Sequence, residues 1–65
     1  MPYASNEELP ASVRHVLPSH AQDIYREAFN HAWERGDLDE ASIHRIAWGA
    51  VKRSYEKVGG RWVLR

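Results

Sequence analysis

The apolar residues between Ser19 and Gly36 recur at the spacing of an amphipathic helix. They fall at i, i+3, i+4, i+7, i+8, i+11 and i+12, which places them on one wide face. These residues are Ala21, Ile24, Tyr25, Ala28, Phe29, Ala32 and Trp33. Ser19 and Gln22 have the spacing of a capping box at the start, and Gly36 supplies a stop. The pattern predicts a helix over residues 19–35.

A second long helix is predicted after a short polar turn. Asp37 and Glu40 have the spacing of a helix cap and open it, and Gly59 with Gly60 ends it. Its apolar face comprises Ile43, Ile46, Ala47, Ala50, Val51, Tyr55 and Val58. Two long helices joined by a short turn should pack as an antiparallel hairpin.

Shorter elements are predicted on either side of this helical hairpin. Pro10 suits the first position of a short helix that runs to about Val16 and lies across the open side of the hairpin. Residues 2–4 are extended, and residues 61–64 are short and β-prone. We expect Tyr3 to pair with the Trp62–Val63 region. The predicted fold is therefore a single domain over residues 1–65, mainly all-α, with one tiny two-stranded β pairing of the termini.

The distribution of charge and the small size of the chain add two further expectations. Net charge is zero, but residues 1–40 carry eight acids and three bases, while residues 41–65 carry one acid and six bases. The halves, at −5 and +5, either attract each other and complement helix dipoles or present a charged patch to a partner. With no cysteine, the small core depends on seven aromatic residues, so we expect all three tryptophans to be at least partly buried. A homodimer would also fit so small a core.

No arrangement of residues predicts catalysis, a cofactor or a metal. No histidine pair stands at i, i+4 on one helix, so we expect helix-end or core histidines bonded to backbone carbonyls. The four are His15, His20, His31 and His44. The serines lie in cap or helix contexts, and the acids at 37, 39 and 40 form too short a loop for an EF-hand. We expect a protein that is not an enzyme.

Trp48 points to a binding surface instead. On a helical wheel it falls roughly 100° or more from the centre of the apolar face. It either packs on the first helix or the terminal strand, or it marks an interface. A basic strip interleaved with aromatic residues surrounds it, and we predict partner binding by Trp48, Lys52, Arg53 and Trp62, with His15 and His20 as further candidates. The sequence has neither an apolar run of about 20 residues nor an apolar leader, so we expect a soluble, cytoplasmic protein.

Four blocks of this sequence together carry a family resemblance: MPY at 1–3, LP at 9–10, SVRHVLPSHAQDIYREAFNHAW at 12–33 and HRIAWGAVKRSY at 44–55. They resemble the ChaB family of small bacterial proteins, which are named as regulators of cation transport. His15 and His20 lie in the central block, and His44 aligns with a family histidine, but no role follows from that. The chain departs from better-known members at residues 34–41, where it has only ERGDLDEA in place of a longer charged segment.

The resemblance implies a non-enzymatic regulator that acts on a sodium or calcium/proton antiporter by protein–protein interaction. The alternative is a nucleic-acid-associated module that binds through the basic C-terminal half, because interleaved cations and aromatics also suit nucleic acid. The resemblance adds one association: ChaB-like domains occur fused to segments similar to the N-terminal domain of the Rho termination factor. That association supports the alternative without supplying a mechanism.

Overall fold

The computed structural model, which describes residues 3–65, has a helical hairpin followed by a β-hairpin. A 3-10 turn at Asn6–Glu8 and a short helix α1 at Ala11–Arg14 precede the long helices α2 at Ser19–Arg35 and α3 at Glu40–Ser54. Strands β1 at Tyr55–Val58 and β2 at Arg61–Leu64 follow. The mainly helical fold with a small two-stranded sheet is confirmed. Of the predicted extended start, Pro2 lies outside the described residues.

Helix α2 begins and ends where the sequence predicts, but its start is stabilised differently. Pro18 occupies the cap position, and no side chain there accepts a hydrogen bond from the first turn. Ser19 is already helical, so the predicted capping box is wrong. Gln22 instead donates through Nε2 to the carbonyls of Leu17 at 2.8 Å and Arg14 at 3.2 Å, which ties α2 to the end of α1. Gly36 ends the helix in the left-handed conformation at φ 76°, as predicted.

Helix α3 is capped by Asp39 rather than by Asp37. The Asp39 carboxylate accepts the backbone N–H of Ser42 at 2.9 Å, and hydrogen bonds from the Ser42 side chain and backbone hold the pKa of Asp39 below its ordinary value. Asp37 instead pairs with Arg35 at 3.2 Å. The cap therefore lies two residues later than the sequence suggested.

The chain leaves α3 at Ser54, four residues before the predicted end. Residues 55–58 form β1 and pair antiparallel with β2, in a register that sets Tyr55 opposite Leu64 and Lys57 opposite Trp62. Gly59 and Gly60 both have positive φ, 58° and 80°, as a two-residue hairpin turn requires.

The predicted pairing of Tyr3 with β2 is wrong. Its N–H donates to Asn30 Oδ1 and its carbonyl accepts from Asn30 Nδ2, both at 2.8 Å. The partner of β2 is the strand next to it in the sequence, because closing a two-residue turn costs much less entropy than joining the two ends of the chain.

The core lies between the two long helices and is closed by the N-terminal segment and β1. Contacts run antiparallel along the hairpin: His20 packs on Tyr55, Tyr25 on Trp48 and Phe29 on His44. The buried residues are Leu9, Val13, Leu17, Ala21, Tyr25, Phe29, Ala32, Ile43, Ala47, Val51 and Tyr55. The three tryptophans are half-buried and pack against this core, which confirms the prediction that each is at least partly buried.

Two details of the fold bear on function. Ile46, which the helical spacing placed on the core face, is 41% exposed. Within residues 3–65, no helix combines the length and apolar character needed to cross a bilayer.

Candidate functional site

Trp48 and Trp62 form an aromatic pair at the junction of α3 and β2. Their ring centroids lie 5.6 Å apart, and Trp48 also packs edge-on against Tyr25 at 5.4 Å. The off-face position of Trp48 is thus explained within the chain, by packing on the terminal strand and on α2. Both indoles remain half-buried, so part of each stays open to solvent.

A cleft of about 370 Å³ extends from Trp62 to the connection between α1 and α2. Trp62 and Arg61 form one wall together with the hairpin turn, and His15 forms the opposite wall with the segment that follows it. Val16 lines the cleft and is 48% exposed, so it adds apolar surface to this wall. The structure therefore brings together two of the predicted partner-binding residues, His15 and Trp62.

His20 and His44 are fixed by tyrosine hydroxyls rather than by the backbone carbonyls predicted for them. His20 Nδ1 lies 3.1 Å from the Tyr55 hydroxyl, and His44 Nδ1 makes a short hydrogen bond with the Tyr25 hydroxyl. His20 thus joins the start of α2 to the start of β1 and supports the base of the β-hairpin. In the part of the chain that the structure describes, no three histidine or acidic side chains converge as metal ligands would.

Lys52 and Arg53 are both exposed, but they point away from different sides of α3. Lys52 follows Trp48 by four residues and so shares its face. Its carbonyl accepts Nε of Arg65 at 2.8 Å, which fixes the end of the chain beside β1. Arg53 lines a separate groove between α2 and α3. The predicted set is therefore divided between two surfaces.

The β-hairpin adds two cations that the sequence analysis left out of the candidate set. Lys57 stands directly opposite Trp62 in the strand register, and Arg61 lines the cleft. Glu56 is the hairpin's one acid, and it lies 3.9 Å from Arg65 with both side chains about half-exposed. The Gly-Gly pair between β-prone residues is the signal that could have located this hairpin and these cations.

We call the surface made by His15, Trp48, Lys52, Lys57, Arg61 and Trp62 the aromatic–basic surface. Exposed indole edges bordered by ammonium and guanidinium groups can bind carboxylates by charge and apolar or aromatic side chains by contact. The surface can therefore hold a peptide segment that carries both.

Comparison with known proteins identifies relatives along nearly the whole chain. The ChaB family profile matches residues 9–65. Proteins of Escherichia coli strain K12 and Shigella flexneri, each named "Putative cation transport regulator ChaB", are 53% identical over 66 residues, covering 88% of this chain and 87% of theirs. The solution structure of a "putative cation transport regulator ChaB", solved by NMR, superposes on this chain with a TM-score of 0.82, and the two sequences are 47% identical. That match covers 98% of this chain and 99% of the other.

Proposed function

This chain belongs to the ChaB family, and we propose that it regulates cation transport by binding another protein through the aromatic–basic surface. The partner we propose is the cytoplasmic part of a sodium or calcium/proton antiporter. The protein acts from the aqueous side of the membrane, in the cytoplasm, and carries out no chemistry of its own.

The observation that carries this proposal is the half-exposed Trp48–Trp62 pair with cations on its border. Tryptophan and arginine are the residues that most often dominate binding energy at interfaces. Lys52, Lys57 and Arg61 would select acidic segments and speed their encounter, because complementary charge acts mainly on specificity and association rate. His15 faces the same cleft, and His20 acts indirectly by holding Tyr55 at the base of the hairpin.

Arg53 falls outside this surface and supplies a matched control. A Lys52→Glu variant should bind the soluble acidic loops of the antiporter about tenfold or more weakly. Arg53→Glu reverses one charge at another exposed position of the same helix and should change affinity less than about twofold. Titration of isotope-labelled protein by NMR measures both. Equal losses in the two variants, or no binding by the parent, would contradict the proposal.

A nucleic-acid-binding role is the second candidate, and the β-hairpin favours it. Lys57 stands opposite Trp62 in the strand register. In proteins that bind single-stranded nucleic acid, an aromatic ring stacks on a base while a nearby cation contacts the phosphate. The same titration with mixed-sequence DNA and RNA distinguishes the two functions. A phosphate binder loses affinity steeply between about 50 and 200 mM salt, in proportion to the phosphates contacted. Binding to nucleic acid alone, with that dependence, would favour the second candidate.

A further inference from the structure

A second open surface lies between α2 and α3, away from the aromatic–basic surface. It is a groove of about 450 Å³, and we call it the interhelical groove. Its floor is apolar and consists of Ala28, Ala32, Ile46 and Ala50, while His31, Arg35 and Arg53 form its rim. Neither the regulatory proposal nor the family resemblance uses this groove.

Ile46 is the feature that the fold itself does not explain. It follows the buried Ile43 by about one turn and directly precedes the buried Ala47. Yet 41% of it is exposed, because no element of residues 3–65 covers this side of the helix pair. The flanking alanines keep the groove shallow and allow a third backbone to approach closely. The N-terminal segment and the β-hairpin fill the corresponding positions on the other side.

The charge of the rim decides what could cover this groove. Its lining contains no carboxylate. Arg35 pairs with Asp37, but both side chains are about 60% exposed, so that pair is weak and exchangeable. Arg53 makes no ion pair within the described residues 3–65.

A second copy of this chain suits the groove poorly. A two-fold axis would place one groove on the other, and isologous contacts would then bring the cationic rims together. Like charges across an interface cost affinity. Complementarity requires an occupant with an apolar face and carboxylates on both flanks.

We infer that the interhelical groove binds an acidic amphipathic helix of a partner protein, which packs as a third helix against α2 and α3. Apolar residues at i, i+3, i+4 and i+7 of that helix would contact Ile46 and the alanines, the usual helix-in-groove mode. Its acidic flanks would meet Arg35 and Arg53. This inference goes beyond the regulatory function proposed above and stands on different residues.

The probe is a synthetic peptide of about four helical turns, with leucines on one face and glutamates on both flanks. A second peptide carries lysines in place of the glutamates. In an NMR titration of the full chain, the acidic peptide should shift the amides of Ala28, Ala32, Ile46 and Ala50. Shifts at Trp62 would report separate binding to the aromatic–basic surface. The lysine peptide should bind about tenfold or more weakly.

Two protein variants locate the site. Ile46→Glu should weaken binding of the acidic peptide by about tenfold or more. Leu64→Glu places the same charge at a position that is 64% exposed on β2 and should change affinity less than about twofold. Both side chains are exposed, and unchanged amide dispersion confirms that each variant is folded.

Three results would overturn the inference. The first is the absence of shifts up to millimolar peptide, and the second is a set of shifts confined to the His15–Trp62 cleft. The third is a shift of the groove amides with protein concentration alone, which would identify a second copy as the occupant.

Discussion

The side chain of Gln22, in the first turn of α2, hydrogen-bonds to the backbone that precedes the helix. Its side-chain amide donates to the carbonyls of Arg14, the last residue of α1, and of Leu17 in the connection to α2. Arg14 is half-buried and Leu17 is buried, so each carbonyl would lose its partner where water has little access. Gln22→Ala should therefore lower the free energy of unfolding by about 1–2 kcal/mol. Ser19→Ala is the control, since Ser19 makes no cap bond, and should change it by less than about 0.5 kcal/mol. Urea unfolding measures both free energies. A larger loss of stability from Ser19→Ala than from Gln22→Ala would show that Ser19 caps the helix after all.

Tyr25 predicts how stability depends on alkaline pH. Burial raises its pKa to about 12, with a smaller contribution from Tyr3, whereas an unfolded tyrosine titrates near about 10. The contribution of this residue to stability is thus complete below about pH 10 and is lost as pH rises towards 12.

Tyr25→Phe should make the decline above pH 10 shallower, although not abolish it, because burial also raises the pKa of Tyr3. At neutral pH it should cost about 1–2 kcal/mol, since His44 loses its hydroxyl partner. Denaturant unfolding at a series of pH values tests both effects. An unaltered alkaline slope in the variant would show that the Tyr25 hydroxyl is not the group responsible.

At the scale of elements, two glycines should respond in opposite ways to the same substitution. Gly60 holds the β-hairpin turn at φ 80°, so Gly60→Ala should destabilise the protein by about 1–2 kcal/mol. Gly49 lies inside α3, where an added Cβ would meet nothing within 4 Å, so Gly49→Ala should stabilise it by about 0.5–1 kcal/mol. In thermal melts, Gly49→Ala should therefore have the highest melting temperature, the parent an intermediate one and Gly60→Ala the lowest. Any other order would contradict the assignment of these elements.

The same elements show what the sequence could predict. The bounds of α2 follow from a long, regular apolar period with a proline before it and a glycine after it. The end of α3 was missed because Val51, Tyr55 and Val58 continue a helical spacing. Tyr55 and Val58 instead lie in β1, which pairs with β2, and Trp62 of β2 packs on Trp48. Residue spacing does not contain these contacts between elements.

The candidate site was predictable only in part, for the same reason. The angle of Trp48 from the apolar face indicated a contact outside the helix pair, and the structure shows that contact with Trp62 of β2. Its role in binding a partner stays a prediction. The register that sets Lys57 beside Trp62 and the separation of Arg53 from Lys52 depend on how the strands and helices pack. The tyrosine partners of His20 and His44 also come from neighbouring elements, so no local pattern could reveal them.

For the molecule as a whole, the charge separation does little for stability. The three ion pairs in residues 3–65 are all partly exposed, so each contributes about 0–1 kcal/mol. The acidic α2–α3 turn and the basic β-hairpin lie at opposite ends of α3 in a molecule that measures 36 × 21 × 15 Å. The regulatory proposal gives this charge separation a use, because such a field would orient a charged partner as it approaches.

The aromatic contacts, by contrast, connect four parts of the fold. Tyr3 packs on Phe29, Phe29 on Tyr25, Tyr25 on Trp48 and Trp48 on Trp62, so the N-terminal segment, both long helices and the β-hairpin share one cluster. The parent should therefore unfold in one transition, with far-UV circular dichroism and tryptophan fluorescence coinciding.

Trp62→Ala should break this connection at its last member. The β-hairpin would lose its contact with α3, and a two-stranded sheet is marginal alone. We expect a loss of about 2–3 kcal/mol, less than for a fully buried tryptophan. Hydrogen exchange in β1 and β2 should also become faster than in α2. Val63→Ala, on the outer face of the same strand, is the control and should cost less than about 1 kcal/mol. If the parent itself shows two separate transitions, the β-hairpin folds independently, and Trp48 is then free to bind partners without it.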